Sequence, residues 1–203
     1  MSKVLTLTGP SGSGKSTFIR EILKYQNLIF HPVVIPKYTT RPPRKGEKNA
    51  EKSFQEAISV QKLPSSCDLV YEQYGVRYGV ELSSIYSALS KGKSPIIILN
   101  DVRAVEDVRV LFGPLVHSIF LFRESPSLSK HEVLSKNRGV TDEETARKRF
   151  EKAQSIYRIY IENIHLFDHV VLNHGSKHDL RRQVKQIVNA FIDKTRWPLK
   201  VTV

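Results

Sequence analysis

The sequence predicts an α/β fold with a mainly parallel sheet flanked by helices, and three observations carry that prediction. Apolar runs of strand length, such as Val4–Thr8, Pro95–Leu99 and Ser118–Phe122, alternate along the chain with stretches whose apolar residues recur at helical spacing. These runs are apolar throughout, as strands covered on both faces are. Between the first strand and the first helix lies a glycine-rich loop of the kind that turns a strand into a helix around a phosphate.

That loop is Gly9-Pro10-Ser11-Gly12-Ser13-Gly14-Lys15-Ser16-Thr17, which fits G-x-x-x-x-G-K-[ST] without a mismatch. The glycines let the backbone wrap a polyphosphate with its N–H groups pointing inward. Lys15 reaches the β- and γ-phosphates, and the Ser16 hydroxyl holds Mg²⁺. Phe18, Ile19, Ile22 and Leu23 follow at helical spacing, so a helix N-terminus faces the anion. The stretch reads as a nucleotide-binding loop.

Val33-Val34-Ile35, between Pro32 and Pro36, is a short strand. The next stretch, Lys37-Tyr38-Thr39-Thr40-Arg41-Pro42-Pro43-Arg44-Lys45-Gly46-Glu47, is polar and strongly basic. Its two prolines forbid a helix and hold Arg41 and Arg44 on an extended backbone, which suits two guanidinium forks to capture of a second phosphate. Phe54 to Leu63 is expected to form a short helix. Val70 to Val80 alternates aromatic, apolar and polar residues around two glycines and reads as a hairpin. Leu82 to Leu89 is a helix stopped by Gly92. Pro95 to Asp101 reads as a central parallel strand ending in an acid, where functional residues of such sheets gather. Val102 to Phe112 is helical, and Ser118 to Phe122 is a further buried strand.

From Ser127 to about Asn163 the pattern is helix, break at Arg138-Gly139, and helix. Thr141-Asp142-Glu143-Glu144 is a capping box. Phe150, Ala153, Tyr157, Tyr160, Ile161 and Ile164 form an apolar stripe expected in the core. Val170 to Asn173 is a last strand, and Leu180, Val184, Ile187, Val188 and Phe191 mark a last amphipathic helix. His165 and His169, and again His174 and His178, are spaced i, i+4, but a strand divides them and no thiolate or carboxylate cluster accompanies them. They read as surface or partly buried histidines and not as a zinc site. The basic loop with the hairpin, and the stretch around Arg138, look like small mobile parts set on the α/β core.

The chain has 203 residues and one cysteine, Cys67, which excludes an internal disulfide framework and suits a reducing compartment. No apolar run is long enough to span a bilayer, and Met1-Ser2-Lys3 leads straight into the first strand, so a soluble cytoplasmic protein is expected. Lys and Arg number 32 against 20 Asp and Glu, a net charge of +12. The chain shows no nucleic-acid-binding motif with aromatic residues interleaved among the basic ones. Much of the excess falls on helix faces, at Arg147, Lys148 and Lys152 and at Arg181, Arg182 and Lys185. A polyanionic small molecule therefore explains the remaining arginines better than nucleic acid does.

On four features together, the chain resembles guanylate kinases, a family of P-loop nucleoside monophosphate kinases. These are Gly9 to Thr17, Thr39 to Glu47, Tyr78-Gly79, and Arg138-Gly139 with Arg149 downstream, and the likeness runs from Lys3 to about Phe191. The resemblance implies a P-loop kinase fold of one domain, 1–203. Its core would be 1–36, 82–126 and 165–193, with an acceptor-binding β subdomain at 37–81 and a mobile helical lid at about 127–150. It implies ATP and Mg²⁺, a small-molecule phosphate acceptor, no membrane, and a monomer or homodimer. Arg41, Arg44 and Tyr78 correspond to ligands of the acceptor phosphate, and Asp101 to an acid near acceptor and metal. Lys15, Arg138 and Arg149 correspond to catalytic cations, and Asn173 to the start of the adenine-side loop. Where the family reads guanine, this chain has Leu69, Val80 and Lys37, with Asp68 or Glu72 as substitutes after a small shift. Ribose 1,5-bisphosphate phosphokinases share Tyr78-Gly79-Val80 and Leu99-Asn100-Asp101-Val102-Arg103-Ala104, which makes a sugar phosphate the alternative acceptor. A non-catalytic phospholigand-binding module is the further alternative, against which the intact phosphate loop speaks.

Overall fold

The computed structural model describes residues 2–10, 13–25, 30–43, 54–73, 75–123, 143–173 and 176–192. Nine strands and five helices are formed among them. In chain order they are β1 (Val4–Thr8), α1 (Lys15–Ile22), β2 (Pro32–Ile35), β3 (Lys37–Thr39), β4 (Ala57–Ser59), β5 (Leu69–Gln73), β6 (Val76–Val80), α2 (Leu82–Ser90), β7 (Ser94–Ile98), α3 (Val102–Phe112), β8 (Val116–Phe122), α4 (Glu143–Glu162), β9 (His169–Leu172) and α5 (Lys177–Ile192).

Strands β2-β7-β1-β8-β9 form one sheet in that order, and every pairing in it is parallel. The first strand made is thus the central one, with Leu5 opposite Ile96 on one side and His117 on the other. All five residues of β1 are buried, the signature of a strand covered on both faces. Alternate side chains serve opposite layers. Leu5, Leu7, Ile96, Ile98, Ile119 and Leu121 pack with Phe18, Ile19 and Ile22 of α1 and with Leu180, Val184 and Val188 of α5. Val4, Ile97, Leu99 and Phe120 face the other way, into Ile85 of α2, Val105 and Val108 of α3, and Tyr157 and Tyr160 of α4. The strand expected to be central, β7, is interior but stands one place from the middle.

A second, smaller sheet has the order β4-β3-β6-β5, with β5–β6 the predicted hairpin and β3 antiparallel to β6. It corrects one expectation. The stretch from Phe54 to Leu63 is not a helix, because Ala57–Ser59 pairs in parallel with β3, and Lys37 N and Val60 N continue the ladder to Glu56 O and Thr39 O. Ile58 and Val60 favour a pleated edge, and a ready partner strand overrides a weak helical pattern.

The stripe assigned to α4 is also narrower than expected. Tyr157 and Tyr160 are buried, whereas Ile161 and Ile164 are 56% and 43% exposed. Helix α4 stops at Glu162, and Ile164 opens a 3₁₀ turn that leads out of the layer. The side chains of Phe150 and Ala153 lie outside the described part. No helix among the described residues is long and apolar enough to cross a membrane.

Candidate nucleotide and acceptor site

The predicted phosphate loop leaves β1 at Thr8 and enters α1 at Lys15. Two of its glycines are required by close approach. A Cβ on Gly9 (φ 152°) would lie 2.6 Å from Leu121 O, and one on Gly14 (φ 102°) would lie 2.4 Å from Asn173 Nδ2. Gly14 O accepts from Thr17 N and Phe18 N, each at 2.9 Å, so the helix begins at the loop's end and Lys15, Ser16 and Thr17 occupy its first turn. Lys15 Nζ donates to Gly9 O (2.6 Å) and Pro10 O (2.8 Å), which lays the ammonium across the mouth of the loop. Ser13 Oγ and Thr8 Oγ1 are buried and have no hydrogen-bond partner among the described residues. Ser11 and Gly12 lie outside the described part.

Asn173 has a place that the sequence did not reveal. It follows β9, and its Nδ2 donates to Ser13 O at 2.7 Å, clasping the loop from a position 160 residues away. Gly9, Asp101 and Asn173 therefore follow the carboxyl ends of three parallel strands, β1, β7 and β9, the edge where open α/β sheets hold their ligands.

Of the acceptor candidates, Tyr78 lies on β6 of the second sheet and Arg41 follows β3. Arg41 N donates to Thr39 Oγ1 (3.1 Å) and Arg41 Nη1 to Pro42 O (2.9 Å), so the start of the basic loop is folded on itself. Thr40 and Arg77 exchange two bonds at 3.0 Å, pinning that start to β6. The Tyr78 ring stacks on Tyr71 with centroids 5.2 Å apart and 19° between planes. Burial above all raises the Tyr71 phenol far beyond its ordinary range, so it stays protonated. Arg44 and Arg138 lie outside the described residues. Arg149 is on α4, but its side chain is outside the described part.

Lys37 turns inward. It is 6% exposed, its Nζ donates to Ile98 O (2.9 Å) and Tyr71 Oη (3.4 Å), and it lies 4.8 Å from the centre of the Tyr78 ring. The two acidic residues considered for guanine reading stand in different settings. Asp68 Oδ2 accepts from Leu82 N (2.9 Å) at the start of α2, and Glu72 is on the exposed face of β5. Val80 is fully buried. Asp101 caps α3, its Oδ1 accepting from Ala104 N at 3.1 Å.

Reading the residues one by one missed a convergence at the end of β7. Gln73 Nε2 and Tyr160 Oη both donate to Asn100 O, at 2.9 Å and 2.7 Å. A partial signal was present, since Leu69, Tyr71 and Gln73 alternate along β5 and share its inner face. No group of three or more His, Cys, Asp or Glu among the described residues is placed to hold a metal ion.

Comparison with known proteins gives a consistent result. Residues 1–191 match the family model described as guanylate kinase. A guanylate kinase of Prochlorococcus marinus is 33% identical over 91% of this chain and 96% of its own length. One from Lactobacillus johnsonii is 33% identical over 74% of this chain and 72% of its own. The crystal structure of guanylate kinase from Anaplasma phagocytophilum superposes with a TM-score of 0.62 at 20% identity, covering 96% of this chain and 88% of that one, a likeness of fold.

Proposed function

Since the chain belongs to the guanylate kinase family, we propose that it transfers the γ-phosphoryl group of ATP to the phosphate of GMP, releasing ADP and GDP. The observation that carries this reading is that the phosphate-loop lysine, Lys15, and a tyrosine-bearing second sheet meet the same carboxyl edge of the parallel sheet. The sugar-phosphate and non-catalytic readings draw no support from the relatives matched.

An oxygen of the acceptor phosphate is already anionic, so attack at the γ-phosphorus needs no general base. As the new P–O bond forms, the bond to the bridging oxygen breaks and ADP leaves with the electron pair. Positioning and charge neutralisation are then the whole task. The loop fits the donor: Lys15 crosses its mouth, and the buried hydroxyls of Ser13 and Thr8 have polar capacity to spare. In this reading Gly9 to Thr17 hold the ATP phosphates through backbone N–H groups and the Lys15 ammonium. Ser16 would hold Mg²⁺, which would supply positive charge to offset that of the phosphates. Arg41, Arg44 and Tyr78 align the acceptor phosphate, Asp101 lies near it, and Arg138 and Arg149 neutralise charge spreading over the transferred group. Asn173 keeps the loop in shape on the adenine side. The acceptor-binding sheet at 37–81, the core at 1–36, 82–126 and 165–193, and a lid at about 127–150 are the working parts of the proposal.

The test is ADP release with Mg-ATP and, separately, GMP, dGMP, AMP, UMP, CMP and ribose 1,5-bisphosphate. We expect GMP to exceed AMP, UMP and CMP by well over about tenfold in kcat/KM. Turnover confined to the sugar phosphate would replace the acceptor, and no turnover on any of them would overturn the reading.

A further inference from the structure

Two backbone positions at the end of β7, Ile98 and Asn100, gather side chains from several units. Ile98 O accepts from Lys37 of β3, and the Asn100 backbone meets the Tyr71 phenol of β5. The Asn100 carbonyl accepts from Gln73, the last residue of β5, and from Tyr160 of α4. A carbonyl oxygen has two lone pairs, and here one serves the second sheet while the other serves the long helix. The turn itself is anchored, because Asp101 caps α3. The Tyr160 hydroxyl is aimed by packing, its ring lying 5.1 Å from that of Phe120 and 6.1 Å from that of Phe167. Any shift of the hairpin that carries Tyr78 moves Gln73, and any shift of the helix that carries Arg149 moves Tyr160.

We propose that Gln73 and Tyr160 are positioning residues which, through the Asn100 carbonyl, link acceptor binding on the second sheet to the placement of α4 beside the donor. The proposal rests on the assignment of the second sheet to GMP and of Arg149 to the transferred phosphoryl group. Coupling between two sites requires an element that both bias, and in this proposal the shared carbonyl takes that part. The linkage raises the affinity for each substrate when the other is bound, and it aligns the two for in-line transfer.

The experiment uses the full chain as wild type, Gln73→Met, Tyr160→Phe and the double variant. GMP affinity is measured with and without a Mg-bound non-hydrolysable ATP analogue, and amide hydrogen exchange across α4 is followed on adding GMP alone. In the wild type we expect the analogue to tighten GMP binding by a factor within the usual coupling range of about 5 to 150. We also expect GMP to slow exchange in α4. Either single substitution should bring the factor towards one and abolish the α4 response, and the double variant should lose no more, because both residues act through one atom. A factor unchanged in the single variants, losses that multiply in the double variant, or variants that lower only the melting temperature would each overturn the proposal. A wild type that phosphorylates GMP yet binds the two substrates independently sinks the linkage alone. One in which GMP slows α4 exchange without turnover sinks the proposed function alone.

Discussion

At Gly79 a side chain would have nowhere to go. A methyl group there would lie 2.6 Å from Cys67 Sγ and 2.9 Å from Cys67 Cβ, and the second of these atoms is tied to the backbone. Gly79→Ala should therefore destabilise the protein by about 1 to 3 kcal/mol and, by displacing Tyr78, raise the KM for GMP more than that for ATP. Thermal unfolding and steady-state kinetics of Gly79→Ala check this. Adding Cys67→Gly should recover much of both losses, and failure to do so would mean that the crowding is not the cause. The Tyr-Gly pair was legible in the sequence, but the reason for its glycine was not, because Cys67 approaches it only after the hairpin has folded. Lys37 is a similar case. Its position beside the basic loop was evident, but its direction was set by a carbonyl on β7, a partner 61 residues away.

Among the elements, β9 shows how an edge is finished. It pairs with β8 on one side, and on α5 the amide of Gln183 donates to Leu172 O (2.7 Å) while accepting from Leu172 N (2.9 Å). One side chain thus occupies both polar groups of a residue at the sheet's end, where Val170 and Leu172 are exposed. Gln183→Leu should cost about 0.5 to 1.5 kcal/mol, since water can replace part of what is lost. It should also increase concentration-dependent association through the freed edge. Melting curves and light scattering over a concentration series measure the two effects, and scattering equal to wild type would remove the edge-guarding role. Elements with a strong periodic pattern, β1, α1, β7, α3 and α5, were read correctly from sequence. Ala57–Ser59 was not, because a strand of three residues owes its existence to the partner beside it and carries little pattern of its own.

For the molecule as a whole, the parallel core was legible because burial on both faces leaves unbroken apolar runs. The candidate site was legible where the proposed chemistry demands fixed spacing, as from Gly9 to Thr17. The contacts that join the parts were not, since Asn173 to Ser13 and Tyr160 to Asn100 depend on the finished packing. That packing also sets the acid limit of the fold. His117 is buried on the central layer, 4.8 Å from the Phe191 ring, and burial first, then the charge of Lys3, pushes its pKa down to about 4. Burial lowers His169 as well. The unfolded chain takes up a proton near the ordinary value of about 6.5, so between these values it binds more protons than the folded protein. Stability is full above the ordinary value and falls as the pH drops towards the depressed one, by about 3 kcal/mol from this histidine. His117→Phe should flatten the pH dependence of unfolding in that window. An unchanged slope in denaturant titrations would show that other groups set it.

The clasp between Ser13 and Asn173 has a consequence for the order in which the protein matures. The loop precedes most of the elements that shape it, since its strand needs β7 and β8 on either side and its shape is closed by a residue after β9. Synthesis runs from the amino end, so the loop must wait, unfinished, until β9 has been made. A nascent polypeptide that stops before Asn173 carries every residue of the motif and lacks the clasp that shapes it. The shape of the loop is therefore settled only once β9 and Asn173 have been made.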